Sequence, residues 1–411
     1  MSAVDSVPDL MSVVADPRNL ALDGRITDTD SHEMIPTHYW DECFGEVGVE
    51  LGKIMEHHPS ANTLYLPDIT GDEAAIDFDS VWATKGPRAP SAIDMARRPA
   101  VLDQMGIKRQ LVFPTFALAA VIMACDPDAH LQFGYDPATI DRMDFARRAI
   151  DSHNRWAGRM AREVDTDRLR VVGVGYAETA AQLISQTEAM IDDGIRAIWI
   201  PGALPPGGLS PADKELDPFW KACADANVSV TLHIGTEFSF VRTHAWSRGV
   251  PEFVPANTSS IEFPIEPYRG ATMHFTQENF LVAMILGGVF ERFPTLRFGV
   301  IECAAHWVGP LAESIDIWGE EFARRLTKTL SMRPSEYLAR NVRVNPYVFE
   351  PVDRYYDRYP ELGSVYCYSS DFPHREGGLY SRQTFFEKMS RFADETLEKF
   401  FVTNGQLLMP D

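Results

Sequence analysis

Short apolar runs with the composition of β-strands alternate along the chain with longer segments whose apolar residues recur at helical spacing. We place eight strand-like runs, at residues 25–30, 110–114, 169–176, 197–200, 228–232, 297–301, 342–348 and 365–368. Regular alternation of strand and helix is typical of a parallel sheet that is covered by helices. Eight such units predict an α/β fold of the (β/α)8 TIM-barrel class.

Two long stretches interrupt the alternation, one after the first run and one after the fifth. Residues 33–108 are rich in Pro, Gly and Asp, and residues 234–275 contain several aromatic residues and histidines. Both are too long for simple connections, so we interpret them as insertions that cover the mouth of the barrel. The predicted organisation is a polar N-terminal lead at 1–24 and a single domain at 25–411.

The amino-acid composition of the chain disfavours some classes of binding partner. The formal net charge is −21, from 38 basic and 59 acidic residues, which argues against nucleic acid or an anionic membrane. The five cysteines include no Cys-x-x-Cys pair, which favours a reducing compartment. We find no signal-peptide pattern, and the apolar run at 111–125 is shorter than the ~20 residues of a membrane span. We therefore expect a soluble cytoplasmic protein with a small-molecule substrate. Its oligomeric state stays open, with a homo-oligomer as one expectation.

The ends of the predicted strands carry side chains that bind metals. In a barrel of this class, functional residues collect at the C-terminal strand ends. Reading only those positions gives Asp30, His32, His233, Glu302 and Asp371. Each alone has an ordinary structural explanation, such as a turn cap, a buried histidine or an ion pair. Because all five occur at strand ends, we predict one metal site.

Further residues near these positions are candidates for related roles. Glu302 and His306 are four residues apart, so a helical turn there would direct both towards one site. We therefore count His306 among the ligands, and Glu302, His306 and Asp371 as catalytic. Four residues are expected to support the ligands or contact substrate: Asp28, Glu237, His274 and His374. We interpret His244 as a loop histidine.

Several blocks resemble the amidohydrolase-related (amidohydrolase 2) family, which includes aminocarboxymuconate-semialdehyde decarboxylase. They are the Asp-Thr-Asp-Ser-His motif at 28–32 and residues 288–298, 333–337 and 370–377. The resemblance runs from about residue 25 to the C-terminus and is loose in both insertions. It implies a TIM barrel with one divalent metal on Asp30, His32, His233 and Asp371. The decarboxylases have a histidine where this chain has Glu302.

That substitution, together with His306, makes the chain similar to one branch, the TIM-barrel nonheme diiron monooxygenases known from platensimycin and platencin biosynthesis. The resemblance to this branch implies two Fe ions, dioxygen and a substrate with an acyl group, such as a CoA-linked terpenoid in secondary metabolism. On this hypothesis aromatic residues of the insertions enclose the substrate, and two arginines hold the coenzyme A phosphates. These candidates are Trp40, Tyr65, Phe238, Trp246, Arg242 and Arg248.

Two other hypotheses remain open. The first is a mononuclear, metal-dependent nonoxidative decarboxylase or hydrolase with one Zn or Mn ion, in which Glu302 acts as general acid or base. The second is a binding protein on a degenerate barrel, which the full set of strand-end ligands disfavours. The number and kind of metal ions distinguish the three.

Overall fold

A computed structural model describes residues 10–56, 64–164, 167–237, 246–247, 249–253 and 266–410. The strands are β1 (Ile26–Asp28), β2 (Ile107–Val112), β3 (Leu169–Val171), β4 (Gly173–Val174), β5 (Ala197–Trp199), β6 (Ser229–His233), β7 (Arg297–Ile301) and β8 (Val342–Val344). All pair in parallel, in the orders β1-β2-β3 and β4-β5-β6-β7-β8. Phe238, Arg242, His244 and Arg248 lie outside the described residues.

The two sheets are linked at both ends into a ring. β3 and β4 are separated only by Val172, so the sequence-predicted strand at 169–176 is divided. At the other end, Tyr366 forms a parallel bridge to Val344 of β8. The segment after Tyr366 then runs beside the end of β1, where the Thr29 N–H donates to the Tyr368 carbonyl at 3.2 Å. When β3 and β4 are counted as one interrupted strand and the segment at Tyr366 as the last, eight parallel strand segments surround one core. This arrangement confirms the predicted fold class.

Helices occupy the connections, as the alternation predicted. Their bounds are Leu10–Ala15, Pro17–Leu20, Trp40–Phe44, Glu46–Met55, Phe78–Ala83, Arg98–Met105, Phe116–Cys125, Ala129–Phe133, Arg142–Glu163, Ala180–Asp192, Asp217–Asp225, Pro267–Thr272, Phe275–Leu286, Val289–Arg292, Val308–Glu321, Ala323–Leu326, Pro334–Asn341, Val352–Arg358, Ser381–Met389 and Asp394–Glu398. None of the helices in the described ranges has both the length and the apolar character that crossing a membrane requires.

Several helices of the described residues were not predicted from the sequence, and one of them is fully buried. Residues Phe116–Cys125 form a helix whose ten residues are all buried. It packs against the long helix Arg142–Glu163, which buries Phe145, Ile150 and Trp156 on one face. A helix that is apolar all round carries no amphipathic period, so periodicity could not identify it.

The division between β3 and β4 is bridged by a side chain of the helix Arg142–Glu163. Asn154 Oδ1 accepts from the Val174 N–H at 2.8 Å, and Asn154 Nδ2 donates to the Val174 carbonyl at 2.9 Å. The adjacent His153 ring contacts the Val172 carbonyl at 2.8 Å through Nε2. Burial lowers the pKa of His153 to about 4, so this ring is neutral at neutral pH. These contacts satisfy backbone groups where the strand is interrupted.

We expect Asn154→Ala to lower the free energy of unfolding by about 2 to 5 kcal/mol, because two buried backbone groups of Val174 lose their partner. Urea unfolding followed by circular dichroism measures the change. Ser152→Ala is the matched control, since it removes one bond, to the Phe44 carbonyl, on the same helix. Equal losses in the two variants would contradict a bridging role for Asn154.

Candidate metal centre

The strand ends bring the predicted ligands into one buried cluster. His32 Nε2 lies 3.3 Å from Asp30 Oδ1 and 3.3 Å from Asp371 Oδ1. His233 Nε2 lies 3.4 Å from Glu302 Oε2 and 3.6 Å from Asp30 Oδ1. All five side chains are buried. The structure thus brings together the side chains selected from the strand ends.

The cluster divides into two overlapping groups of four residues, in each of which the ligand atoms lie within 4.8 Å of one another. The first group is Asp30, His32, His233 and Glu302, and the second is His32, Glu302, Asp371 and His374. His374 stacks on His32 with ring centroids 3.7 Å apart, and its Nδ1 is 3.1 Å from Asp371 Oδ1. His374, which we expected to support ligands or contact substrate, is therefore as close to the cluster as the predicted ligands are.

The residues fit a metal ion. Asp30 Oδ1 and His233 Nε2 are buried, and within the described ranges neither has a hydrogen-bond partner. A buried carboxylate oxygen without a donor is destabilising, and a cation between these atoms would remove that penalty. A cavity of ≈ 10 Å³ lined by Asp30, Glu302 and Asp371 has room for about one water-sized body. Imidazole and carboxylate ligands together suit Zn, Mn or Fe.

The electrostatics of the cluster keep Asp371 ionised. Burial tends to raise the pKa of its carboxyl group, but the neighbouring His374 and His32 outweigh burial and lower it below the ordinary range. An ionised Asp371 is what metal ligation requires.

The backbone is strained at two of the three strand ends that supply carboxylates. Glu302 has φ of 55° and Asp371 has φ of 50°, both in the left-handed region that non-glycine residues rarely adopt. Ala304 follows with φ of 57°. Strain of this kind costs about 1 to 3 kcal/mol per residue and persists only where surrounding contacts impose it.

Residues after β8 impose the strained turn at Glu302. Asn345 Oδ1 accepts from the Glu302 N–H at 2.8 Å, and the Tyr347 hydroxyl donates to the Glu302 carbonyl at 2.7 Å. Asn345 Nδ2 also donates to Asp30 Oδ2 at 3.2 Å. A single amide side chain thus fixes two members of the cluster.

A buried carboxylate, Glu350, organises the same loop. It accepts from the Ala305 N–H at 3.0 Å, the Tyr347 N–H at 2.7 Å and the Tyr355 hydroxyl at 2.8 Å. Burial raises its pKa, and these three hydrogen bonds oppose the rise. Glu350 therefore connects the turn at 302–305 to the segment after β8.

Asp28 lies deeper in the barrel, as the alternation along the first strand predicted, and outside both ligand groups. It accepts from Gln110 Nε2 at 2.7 Å and from the Ser370 N–H at 2.8 Å. Burial raises its pKa to about 7, against the effect of these hydrogen bonds. Asp28 ties β1 to the segment that carries Asp371.

Arg98, which we did not identify from the sequence, holds the backbone at His32 and the side chain of Gln110. Its buried guanidinium donates to the His32 carbonyl at 2.8 Å, to Gln110 Oε1 at 2.9 Å and to Ser91 Oγ at 2.9 Å. It lies on the helix before β2, inside the stretch that we interpreted as an insertion. No local motif marks it.

His306 lies outside both ligand groups. Its ring is half exposed, its Nδ1 is 3.9 Å from Glu350 Oε2, and it packs against His274 with centroids 4.6 Å apart. Glu237 also lies outside both ligand groups. Its carboxylate accepts from Arg269 Nε at 2.7 Å and from the Gly235 N–H at 2.9 Å. Trp40 and Tyr65 were both predicted to enclose the substrate. Trp40 is buried and Tyr65 is exposed.

Lys85 is a cation at the edge of the cluster that sequence reasoning missed. The next residue, Gly86, donates its N–H to the Pro373 carbonyl at 2.8 Å, which places Lys85 beside the loop that carries Asp371 and His374. The pKa of Lys85 is lowered to about 8. Burial is the main cause, and the charges of Asp371 and Glu376 oppose it. Lys85 is thus electrostatically coupled to two carboxylates that line the cavity.

The chain is similar to known proteins in sequence pattern and in fold. A family model described as amidohydrolase matches residues 106–406. No curated protein matches the chain. An amidohydrolase from Mycobacterium avium subsp. paratuberculosis K-10 has 17% identity and a TM-score of 0.63, over 93% of this chain and 99% of that chain.

Two further solved structures share the fold. The 5-carboxyvanillate decarboxylase from Sphingomonas paucimobilis has 15% identity and a TM-score of 0.53, over 93% of this chain and 98% of that one. The 5-carboxyvanillate decarboxylase from Novosphingobium aromaticivorans, complexed with manganese and 4-hydroxy-3-methoxy-5-nitrobenzoic acid, has 16% identity and a TM-score of 0.53, over 94% and 98%. At these identities the likeness concerns the fold.

We expect Asn345→Ala to weaken Mn²⁺ binding about 10- to 100-fold, because Glu302 and Asp30 lose a shared hydrogen-bonding partner. Competition with a fluorescent chelator measures the affinity. Asn341→Ala is the matched control. Asn341 lies just before β8, away from the cluster, and donates to the Leu296 carbonyl. Wild-type affinity in Asn345→Ala, or an equal loss in both variants, would refute this role.

Proposed function

Because the chain belongs to the amidohydrolase family, we propose that it is a metal-dependent enzyme that removes carbon dioxide from a small organic acid without an oxidant. The observation that carries this proposal is the buried cluster of imidazoles and carboxylates at the strand ends. The 5-carboxyvanillate decarboxylases with the same fold, one of them complexed with manganese, support it.

On this proposal Asp30, His32, His233 and Asp371 hold one divalent ion, with Mn²⁺ as the expected metal. Such an ion, when bound, acts as a Lewis acid that orients and polarises the oxygen atoms of the substrate. The four side chains fix its position, and burial of the cluster excludes bulk water from the reacting carbon.

Glu302 is the proposed general acid. Loss of carbon dioxide breaks the bond between the carboxylate group and the substrate carbon that carries it. The electron pair of that bond stays on the substrate carbon. Protonated Glu302 then donates the proton of its carboxyl group to the same carbon, and water restores the proton afterwards. Asn345 and Tyr347 hold the Glu302 backbone in place, so the carboxyl group is positioned in advance.

Lys85 is the proposed anchor for the substrate's anionic group. The cluster and Glu376 form a strongly acidic environment that would repel an organic acid. Within the described ranges, no ion pair involving the Lys85 ammonium is found at 4.0 Å or less, although it interacts with Asp371 and Glu376 over a longer range. A cation at this edge would attract the substrate and compensate its charge.

A second candidate is the diiron monooxygenase that hydroxylates an acyl group. The specific observation in its favour is that two ligand groups share His32 and Glu302. A second iron would then be held by Glu302, Asp371 and His374, while His306 would have to move away from Glu350 to become a ligand. A CoA-linked terpenoid remains the proposed substrate for this alternative.

Metal content distinguishes the two candidates. We expect elemental analysis of protein purified without oxygen or chelators to give about one divalent ion per chain, with Mn²⁺ supporting turnover. About two irons per chain, with oxygen uptake, would instead favour the monooxygenase. Carbon dioxide release from hydroxybenzoates, beginning with 5-carboxyvanillate, is the matching activity assay.

Glu302→Gln tests the proton donor. We expect turnover to fall about 10²- to 10⁴-fold while one Mn²⁺ ion per chain is retained, because an amide keeps the shape but cannot supply the proton. Glu278→Gln is the matched control, since Glu278 pairs with His274 outside the cluster. Loss of a metal ion in Glu302→Gln would make Glu302 a ligand and contradict this assignment.

A further inference from the structure

Trp199 is the last residue of β5 and lies beside the metal centre. Its ring centroid is 5.5 Å from that of His233, with an angle of 60° between the ring planes. The side chain is buried, so it belongs to the barrel interior. We did not select Trp199 from the sequence, although it occupies a C-terminal strand end, where the functional residues of such barrels collect.

The indole N–H of Trp199 is a buried donor that has no acceptor among the residues that the structure describes. An indole nitrogen can only donate. The buried indole of Trp220, by contrast, donates to the Pro211 carbonyl at 2.9 Å. Trp82 also has no acceptor, but it lies on the helix Phe78–Ala83 and not at a strand end. A buried donor without an acceptor is destabilising, so a folded protein retains few such groups.

Two aromatic strand ends flank the His233 ring. Besides Trp199, the ring of Phe113, which follows β2, lies near His233 with centroids 4.4 Å apart. Neither aromatic side chain is a metal ligand. Their contribution to the site is therefore an apolar surface with one hydrogen-bond donor, the indole N–H.

Trp199 and Lys85 lie on opposite sides of the barrel mouth. With β3 and β4 counted as one interrupted strand, β5 is the fourth of the eight segments, and the segment that leads to Asp371 is the eighth. The fourth and eighth segments face each other across a closed ring of eight. Lys85 lies beside the loop after the eighth segment, because the Gly86 N–H donates to the Pro373 carbonyl. The cluster is thus flanked by a cation on one side and by an indole donor on the other.

On the basis of the function proposed above, we propose that Trp199 determines substrate specificity by donating its indole N–H to a substrate oxygen outside the departing carboxylate. Lys85 then binds an anionic group at the opposite side of the mouth. The substrate class is an organic acid with a second oxygen-bearing group, placed across the molecule from the group that Lys85 binds. A site with a buried donor rejects a substrate without the acceptor, since the donor then stays unpaired.

A role in packing alone would need the ring of Trp199 but not its N–H, and Trp199→Phe separates the two roles. In steady-state assays with Mn²⁺, we expect the variant to raise KM for 5-carboxyvanillate about 10-fold and to change kcat less than about 2-fold. Two analogues, one without the hydroxyl group and one without the methoxy group, locate the acceptor. For one of them the wild-type enzyme should lose about 10-fold in kcat/KM, whereas Trp199→Phe should not distinguish it from 5-carboxyvanillate.

Trp220→Phe is the matched control. It removes the N–H of a buried tryptophan on the helix Asp217–Asp225, away from the cluster, and should leave the kinetics of all three substrates unchanged. In Trp199→Phe, an equal change for all three substrates, or no change for any, would overturn the specificity role.

A binding measurement separates this inference from the proposed reaction. In Zn²⁺-loaded protein labelled with ¹⁵N-tryptophan, the indole signal of Trp199 is the one that Trp199→Phe removes. We expect 5-carboxyvanillate to move this signal downfield, because the N–H gains an acceptor. A shift without release of carbon dioxide by the Mn²⁺-loaded enzyme would support the inference and overturn the decarboxylase. Release without a shift would leave the reaction standing and overturn the inference, and absence of binding would overturn both.

Discussion

The arrangement of the site depends on one electrostatic constraint, the burial of three carboxylates within reach of one another. Asp30, Glu302 and Asp371 lie among three imidazoles at the strand ends. Like charges at this distance in a medium of low dielectric constant repel strongly unless a cation or a proton intervenes. The histidines and the surrounding hydrogen-bond donors reduce this repulsion, and a bound cation would reduce it further.

The rest of the barrel mouth follows from holding these groups against their repulsion. Asn345 and Tyr347 force the Glu302 backbone into a left-handed conformation that it would not adopt alone. Asp28 joins the first strand to the segment that carries Asp371. Glu350 fixes the loop between these regions through three donors. Burying these polar groups and holding the strained turn cost stability, but they fix the geometry of the cluster. This is expected of a site that must be preorganised.

The sequence was sufficient for the fold class and for the cluster because both follow from periodic patterns. Alternating apolar runs identified the strands, and reading their ends identified Asp30, His32, His233, Glu302 and Asp371. The structure also brings His374 into the cluster, whereas it places His306 beside His274. The four-residue spacing assumed a helix directly after Glu302, but the helix begins only at Val308. Arg98 and Lys85 reach the site from the first long connection through tertiary contacts, which no local spacing records.

The number of ions and the protonation state of Glu302 are linked through the charge of the cluster. When all three carboxylates are ionised and the imidazoles are neutral, one divalent ion leaves the buried cluster with a net negative charge. A proton on Glu302 removes that charge, and a protonated Glu302 is the state that a general acid needs. Two divalent ions would instead leave a net positive charge and require ionised Glu302 together with an additional anion. With Glu302 protonated, one divalent ion would make the proposed mononuclear site neutral. Two ions would need one more anion, and Glu376 in the lining of the same cavity is a candidate. The charge of Glu302 thus links the metal content to the proposed reaction, because a site with one ion needs the protonated acid and a site with two ions needs the carboxylate.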